Sequence, residues 1–182
     1  DVLERIRDVD VVVVNKVVLD QEILSKAEKL RLVCVAATGT DNVDLKTASK
    51  RGISVCNIRA YATPAVVQHV FMLLLSLVTK INDYSKAVKE GKCQNSDVFS
   101  LVDYPITELA GKKFGIVGYG ELGKAVARIA EAFGMEVLIA AREKNKVEGI
   151  KTGRLPLNDI LRQVDVLSLH CPLVDETRGL IG

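Results

Sequence analysis

The chain has almost no net charge to offer a polyanion: 25 Lys and Arg stand against 23 Asp and Glu, leaving +2 over 182 residues. So small a balance sets up no broad cationic field for a phosphate backbone, and nucleic acid is not an expected partner. Cys34, Cys56, Cys93 and Cys171 include no C-x-x-C pair. That points away from zinc and disulfides and towards reduced thiols in a cytoplasm, with no metal site expected. The opening DVLERIRD has neither the basic start nor the apolar core of a signal peptide. The run AVVQHVFMLLLSLV, Ala65–Val78, is too short to span a membrane and carries Gln68 and His69. It reads as a buried helix, with His69 a packed and hydrogen-bonded core residue. No internal repeat or low-complexity segment is visible.

What is present is an ordinary globular composition, 48% hydrophobic and 26% charged, in a length that fits one large domain or two small ones. The β-branched run at Val9–Asn15 suits a strand buried on both faces, followed by a helix over about Asp20–Lys29. Arg31–Thr38 reads as a second buried strand, Asp44 as the cap of a helix that Gly52 ends, and Ser54–Ile58 as a third strand. Thr63 can cap, and Pro64 can open, a long helix running towards Glu90. Gly91–Pro105 lacks periodicity, and composition alone would place a domain boundary there. Strands at Phe114–Val117, Glu136–Ala140 and Asp165–His170 follow, with a helix over about Leu122–Phe133. Strands and helices that alternate with short connections form a parallel sheet covered by helices, an α/β fold.

At FGIVGYGELGKAVA the strand hands over to the helix through Gly118, Gly120 and Gly123, a G-x-G-x-x-G pattern. Gly118 permits the tight turn, Gly120 lets a pyrophosphate approach the backbone, and Gly123 lets the helix pack closely on the strand. Exposed N–H groups and the helix dipole meet the phosphate charge. The next strand ends VLIAARE. The position that usually carries a ribose-binding acid falls on Ala141, followed by Arg142. Loss of the acid removes repulsion towards a 2′-phosphate and Arg can pair with one, which inclines the reading to NADP or dual use. Glu143 offers the opposite outcome, an acid that reaches the ribose and restores NAD.

Four segments in order, AATGTDNVDL (Ala36–Leu45), VVQHVFMLLLSL (Val66–Leu77), Glu108–Met135 around the glycines and DVLSLHCPLVDETRGLIG (Asp165–Gly182), resemble the D-2-hydroxyacid dehydrogenases. The glycerate dehydrogenase, or hydroxypyruvate reductase, branch is the most similar. The resemblance implies two Rossmann-like or flavodoxin-like parallel-sheet domains, both incomplete in this chain. Residues 1–62 would belong to the substrate domain and 63–182 to the NAD(P)-binding domain, moving the boundary from Gly91–Pro105 to a hinge near Tyr61–Thr63.

The resemblance also assigns roles. Gly118, Tyr119, Gly120, Glu121, Leu122 and Gly123 would hold the cofactor, with Ala141, Arg142, His170, Cys171 and Pro172 around it. Glu121 departs from the small, amide or basic residue that many members carry. The loop Ala37-Thr38-Gly39 would present N–H groups to a substrate carboxylate, making Thr38 and Gly39 substrate-binding residues. The implied reaction is hydride transfer between NAD or NADP and a small 2-keto or 2-hydroxy acid, either hydroxypyruvate and glycerate or glyoxylate and glycolate. The family's Arg, Glu and His lie beyond the point matching Gly182, so no catalytic residue is assigned. A homodimer is implied through the long apolar helix. The alternative is a dinucleotide-sensing binding protein of the same fold, as in the family's corepressor branch.

Overall fold

The computed structural model of the chain describes residues 1–95, 99–142 and 153–181. The chain divides into two units, Asp1–Tyr61 and Ala62–Gly182. In the first, β1 (Val11–Val14), β2 (Leu32–Val35) and β3 (Ser54–Asn57) form a parallel sheet in the order β1-β2-β3. Helices α2 (Gln21–Lys26) and α3 (Leu45–Lys50) make the crossovers that parallel neighbours require, and α1 (Val2–Ile6) precedes β1. The start signals act as read. The Asp20 carboxylate accepts from Ile23 N at 2.9 Å, and Asp44 caps α3 through Lys46 N and Thr47 N, each at 3.0 Å. Gly52, at φ +69°, ends the helix. The Arg51 guanidinium ties α3 to the C-terminal end of α2 by donating to the carbonyls of Leu24, Ser25 and Ala27.

All three helices pack on one face of this sheet: Ile6, Leu24 and Ala48 share a core with Val14, Val33 and Val35. The expectation that β1 is buried on both faces is therefore corrected. Val11 and Val13, on the other face, are 51% and 70% exposed, because nothing described covers that side.

In the second unit β4 (Lys113–Val117) lies at the centre of a parallel sheet ordered β5-β4-β6, with β5 at Glu136–Ile139 and β6 at Val166–Leu169. Helix α4 (Thr63–Thr79) and α6 (Glu121–Ala132) pack on this sheet through Phe71, Leu74, Phe114, Ile116, Val126 and Ala130. The Phe71 ring stacks between Phe114 at 6.1 Å and Phe133 at 5.4 Å. The short α7 (Leu157–Leu161) sets Ile160 against the sheet.

The long helix departs from its reading in three ways. It breaks at Lys80, which adopts a left-handed φ of 54°, and resumes as α5 (Ile81–Lys89) bent by 60°. Thr63 does not cap it. The helix starts one residue early, with Ala62 in the cap position, so Pro64 falls in the first turn and the Thr63 hydroxyl is buried without a hydrogen-bond partner among the described residues. Finally, His69 is exposed rather than packed. Only Phe71 and Leu74 of α4 are fully buried, whereas Met72, Leu73 and Leu77 are 48%, 50% and 69% exposed. A helix that is apolar around most of its circumference has met a core on one side only. No single helix among the described residues is long and apolar enough to cross a membrane.

Candidate functional site

The chain winds from β4 to β5 on one side and then crosses to β6 on the other. That change of direction opens a crevice at the carboxyl ends of β4 and β6, the place where open parallel sheets bind ligands. The glycine turn sits there. Gly118 takes φ +96°, and a Cβ on it would meet the His170 carbonyl carbon at 2.5 Å and Cys171 N at 2.6 Å. The turn and the end of β6 are thus in backbone contact, sealed by His170 N donating to Val117 O at 2.7 Å. A Cβ on Gly123 would overlap the Gly118 carbonyl oxygen, so α6 can approach the strand end only without a side chain at that position.

Gly120 is the opposite case. It is exposed, extended at φ −90° and ψ −156°, and a Cβ on it would meet nothing within 4 Å. It is also the cap residue of α6, and no side chain caps that end. The N–H groups of Gly120, Glu121, Leu122 and Gly123 make no hydrogen bond among the described residues; the first bond of the helix is Lys124 N to Gly120 O at 2.9 Å. An uncapped helix start beneath open space has the dipole and the donors for an anionic group. Glu121, in the first turn, is exposed.

Tyr119, half-buried in the turn, has the Arg154 guanidinium 5.9 Å from its ring centroid. Arg154 lies in no sequence motif. The fold brings it in: Leu155 pairs with Ala140 as a one-residue extension of the sheet, donating to Ile139 O at 2.9 Å and accepting from Ala141 N at 2.8 Å. Ala141 is therefore fixed by its backbone at the end of β5, and Arg142 follows it, exposed. Glu143 lies outside the described residues.

On the other side of β4, His170 is half-buried with Nε2 2.9 Å from Ser168 Oγ, and burial holds its pKa below the ordinary histidine value. Cys171 is half-buried and Pro172 exposed. The Pro172 carbonyl accepts from the Thr177 hydroxyl at 2.6 Å, which closes the segment after β6 into a short loop. An apolar groove of about 560 Å³ between α4 and α6 is lined by Thr63, Val67, Phe71 and Ile129 among others, and by no residue of the glycine turn.

Thr38 and Gly39 belong to the first unit, where both are exposed after β2. Their loop is held from β3: the Thr38 hydroxyl donates to Ile58 O at 3.0 Å, Asn57 Nδ2 donates to Thr38 O at 2.8 Å, and Ile58 N donates to Ala37 O at 3.1 Å. The Thr38 and Gly39 N–H groups make no hydrogen bond among the described residues and are free to donate outward. Among the described residues no cluster of His, Cys, Asp and Glu could hold a metal ion.

Residues 71–182 match the family model described as D-isomer specific 2-hydroxyacid dehydrogenase, NAD binding domain. A protein of Blautia hydrogenotrophica named hydroxypyruvate reductase is 40% identical over the whole chain, and one of Methylorubrum extorquens named glycerate dehydrogenase is 41% identical. The chain spans 57% and 56% of those two proteins, little more than half their length. Among solved structures, D-lactate dehydrogenase of Aquifex aeolicus complexed with NAD and lactic acid superimposes with a TM-score of 0.78 at 31% identity, covering 96% of this chain and 52% of that one.

Proposed function

The chain belongs to the D-isomer specific 2-hydroxyacid dehydrogenase family, and from that premise we propose that the whole protein moves a hydride between a nicotinamide dinucleotide and C2 of a small 2-keto or 2-hydroxy acid. Hydroxypyruvate and glycerate are the preferred pair, since two relatives at 40% and 41% identity carry those names; glyoxylate and glycolate come next. The observation that carries the reading is Gly120: open space above an extended glycine, at the uncapped start of α6 and at the sheet's switch point. That arrangement fits a dinucleotide pyrophosphate, because a peptide backbone without a side chain lets the phosphates reach its N–H groups.

In this reading the bound dinucleotide supplies the transferable hydride, and the chain supplies position. The N–H groups of the Gly120–Gly123 turn hold the pyrophosphate. Ala141 leaves the ribose edge without an acid, and Arg142 and Arg154 are the cations available to a 2′-phosphate, which favours NADP or dual use over strict NAD. His170, Cys171 and Pro172 would form the wall beyond β6, with the His170 imidazole half-buried and its pKa held below the ordinary histidine value by burial. The Thr38 and Gly39 N–H groups receive the substrate carboxylate. No residue of this chain is assigned to the proton transfer. By the same reading residues 1–62 serve the substrate, residues 63–182 serve the cofactor, and the exposed Leu73 and Leu77 of α4 dock a second copy. The protein is proposed to work in the cytoplasm, where its thiols stay reduced.

Steady-state assays of the full-length protein with NADPH and NADH test the reading against hydroxypyruvate, glyoxylate, pyruvate and phosphohydroxypyruvate. Turnover is expected, best with hydroxypyruvate; no turnover with any of the four would remove the enzyme reading.

A further inference from the structure

The loop after β2 is held from β3 by its carbonyl oxygens. Asn57 Nδ2 donates to Thr38 O at 2.8 Å, and Ile58 N donates to Ala37 O at 3.1 Å. A peptide unit is planar, and in the trans form, which all described peptides here adopt, its N–H points opposite to its C=O. The Thr38 carbonyl shares its plane with the Gly39 N–H, and the Ala37 carbonyl shares its plane with the Thr38 N–H. Both N–H groups are therefore turned away from β3, and neither donates to a described residue. All of these groups belong to one unit, Asp1–Tyr61.

We propose that Asn57 is a positioning residue for the substrate carboxylate: its side-chain amide fixes the Thr38–Gly39 peptide plane so that the Gly39 N–H is presented to that carboxylate. Two effects act together. The bond to Thr38 O opposes the rotation that would turn the N–H elsewhere, a freedom that a loop peptide next to glycine has in large measure. It also draws electron density onto the Thr38 oxygen and leaves the Gly39 N–H the better donor, since hydrogen bonds in a chain polarise one another. Successive N–H groups fixed on one side of the backbone make a concavity for an anion. Donors already in place need no ordering when the carboxylate arrives.

A second asparagine in the same region supplies the contrast. Asn42 Nδ2 donates to Val17 O at 2.9 Å and Asn42 O accepts from Leu19 N at 2.8 Å, which ties the far end of the loop to the segment after β1. Each asparagine thus donates one side-chain bond of nearly the same length to a backbone carbonyl. Only Asn57 bonds a carbonyl whose peptide carries one of the two carboxylate donors. The role of Asn57 rests on the proposed reading of Thr38 and Gly39 as the carboxylate site, whereas the bonds do not.

The test compares Asn57→Ala with Asn42→Ala in the full-length protein, by urea unfolding, NADPH titration and steady-state kinetics with hydroxypyruvate. Each variant loses one side-chain hydrogen bond, so similar losses of stability are expected. Asn57→Ala alone should raise the hydroxypyruvate KM, by about ten-fold. Its kcat and its NADPH affinity should stay within about two-fold of the wild type, the pattern of binding lost equally from ground and transition states. Asn57→Asp keeps the shape but sets an acceptor against the Thr38 carbonyl, and its KM should rise at least as far; it decides the matter if the truncation to Ala does not fold. An unchanged KM in the folded Asn57 variants overturns the inference, and so does an equal rise in Asn42→Ala, which would mark general support of the loop. A wild type that turns over no 2-keto acid instead defeats the proposed function, and the role of Asn57 falls with it.

Discussion

The carbonyl oxygen of Gly118 occupies the place that a Cβ on Gly123 would need, while a Cβ on Gly120, between them in the same turn, would touch nothing within 4 Å. The two positions therefore separate folding from binding. Gly123→Ala should destabilise the protein by about 3 kcal/mol, the upper end of the usual overpacking range, because the added methyl meets rigid backbone. Gly120→Val should cost no more than about 1 kcal/mol in urea unfolding, the scale of a poorer helix cap. It should nevertheless abolish nicotinamide dinucleotide binding in a fluorescence titration of the folded protein. Unchanged affinity would take Gly120 out of the site.

Cofactor choice turns on the cations at the β5 end. A phosphate contact by a charged donor is worth about 1.5–3 kcal/mol, or roughly one to two decades in affinity. Arg142→Ala should lower kcat/KM for NADPH by that factor and leave NADH unchanged. Arg154→Ala reports on the cation that lies over Tyr119. If neither variant moves the NADPH to NADH ratio while Glu143→Ala weakens NADH, an acid on the ribose replaces the NADP argument.

His170 gives a dependence on pH. Burial lowers its folded pKa below the ordinary value of 6.5, so the unfolded chain binds the proton more readily than the folded one. This group's effect on stability is constant above about pH 6.5 and becomes unfavourable as pH falls from there towards the lowered pKa. Urea unfolding at pH 7 and pH 5 should show a larger loss for the wild type than for His170→Gln. Equal losses would contradict the assignment, as would an imidazole resonance titrating at or above the ordinary value.

The uncovered side of α4 predicts association. Leu73 and Leu77 are 50% and 69% exposed on a helix whose buried side is already satisfied by Phe71 and Leu74, and contiguous exposed apolar surface of this kind marks interfaces. The full-length protein should sediment as a dimer at micromolar concentration and Leu77→Glu should shift it towards monomer without unfolding it. A monomeric wild type would refute this.

Much of the fold was legible because the strands are short β-branched runs between helix caps of plain chemistry. β2, β3, β4 and β6 lie within the limits read for them, to a residue at β4, and Asp20 and Asp44 sit where helices begin. What escaped depends on neighbours that periodicity cannot count. A run of valines marks a strand but not how many faces of the sheet are covered, and Val13 emerged exposed. Nothing in LVTKIND signals a break, since Lys80 bears a left-handed φ with neither glycine nor proline present. His69 sat in an apolar run, yet the helix turned that position outward. At the candidate site the glycine turn announced itself by its spacing. Arg154 carried no local signal, because only pairing of Leu155 beside Ala140 brings it to Tyr119.

The most direct test of hydride transfer is isotopic. The full-length protein is supplied with hydroxypyruvate and reduced nicotinamide dinucleotide carrying deuterium at C4, on the face from which it is transferred, and the product is analysed by mass spectrometry and proton NMR. The account predicts glycerate with one deuterium, located at C2, and none when the deuterium is placed on the opposite face of C4. Glycerate without deuterium from either labelled cofactor, or no glycerate at all, would contradict it.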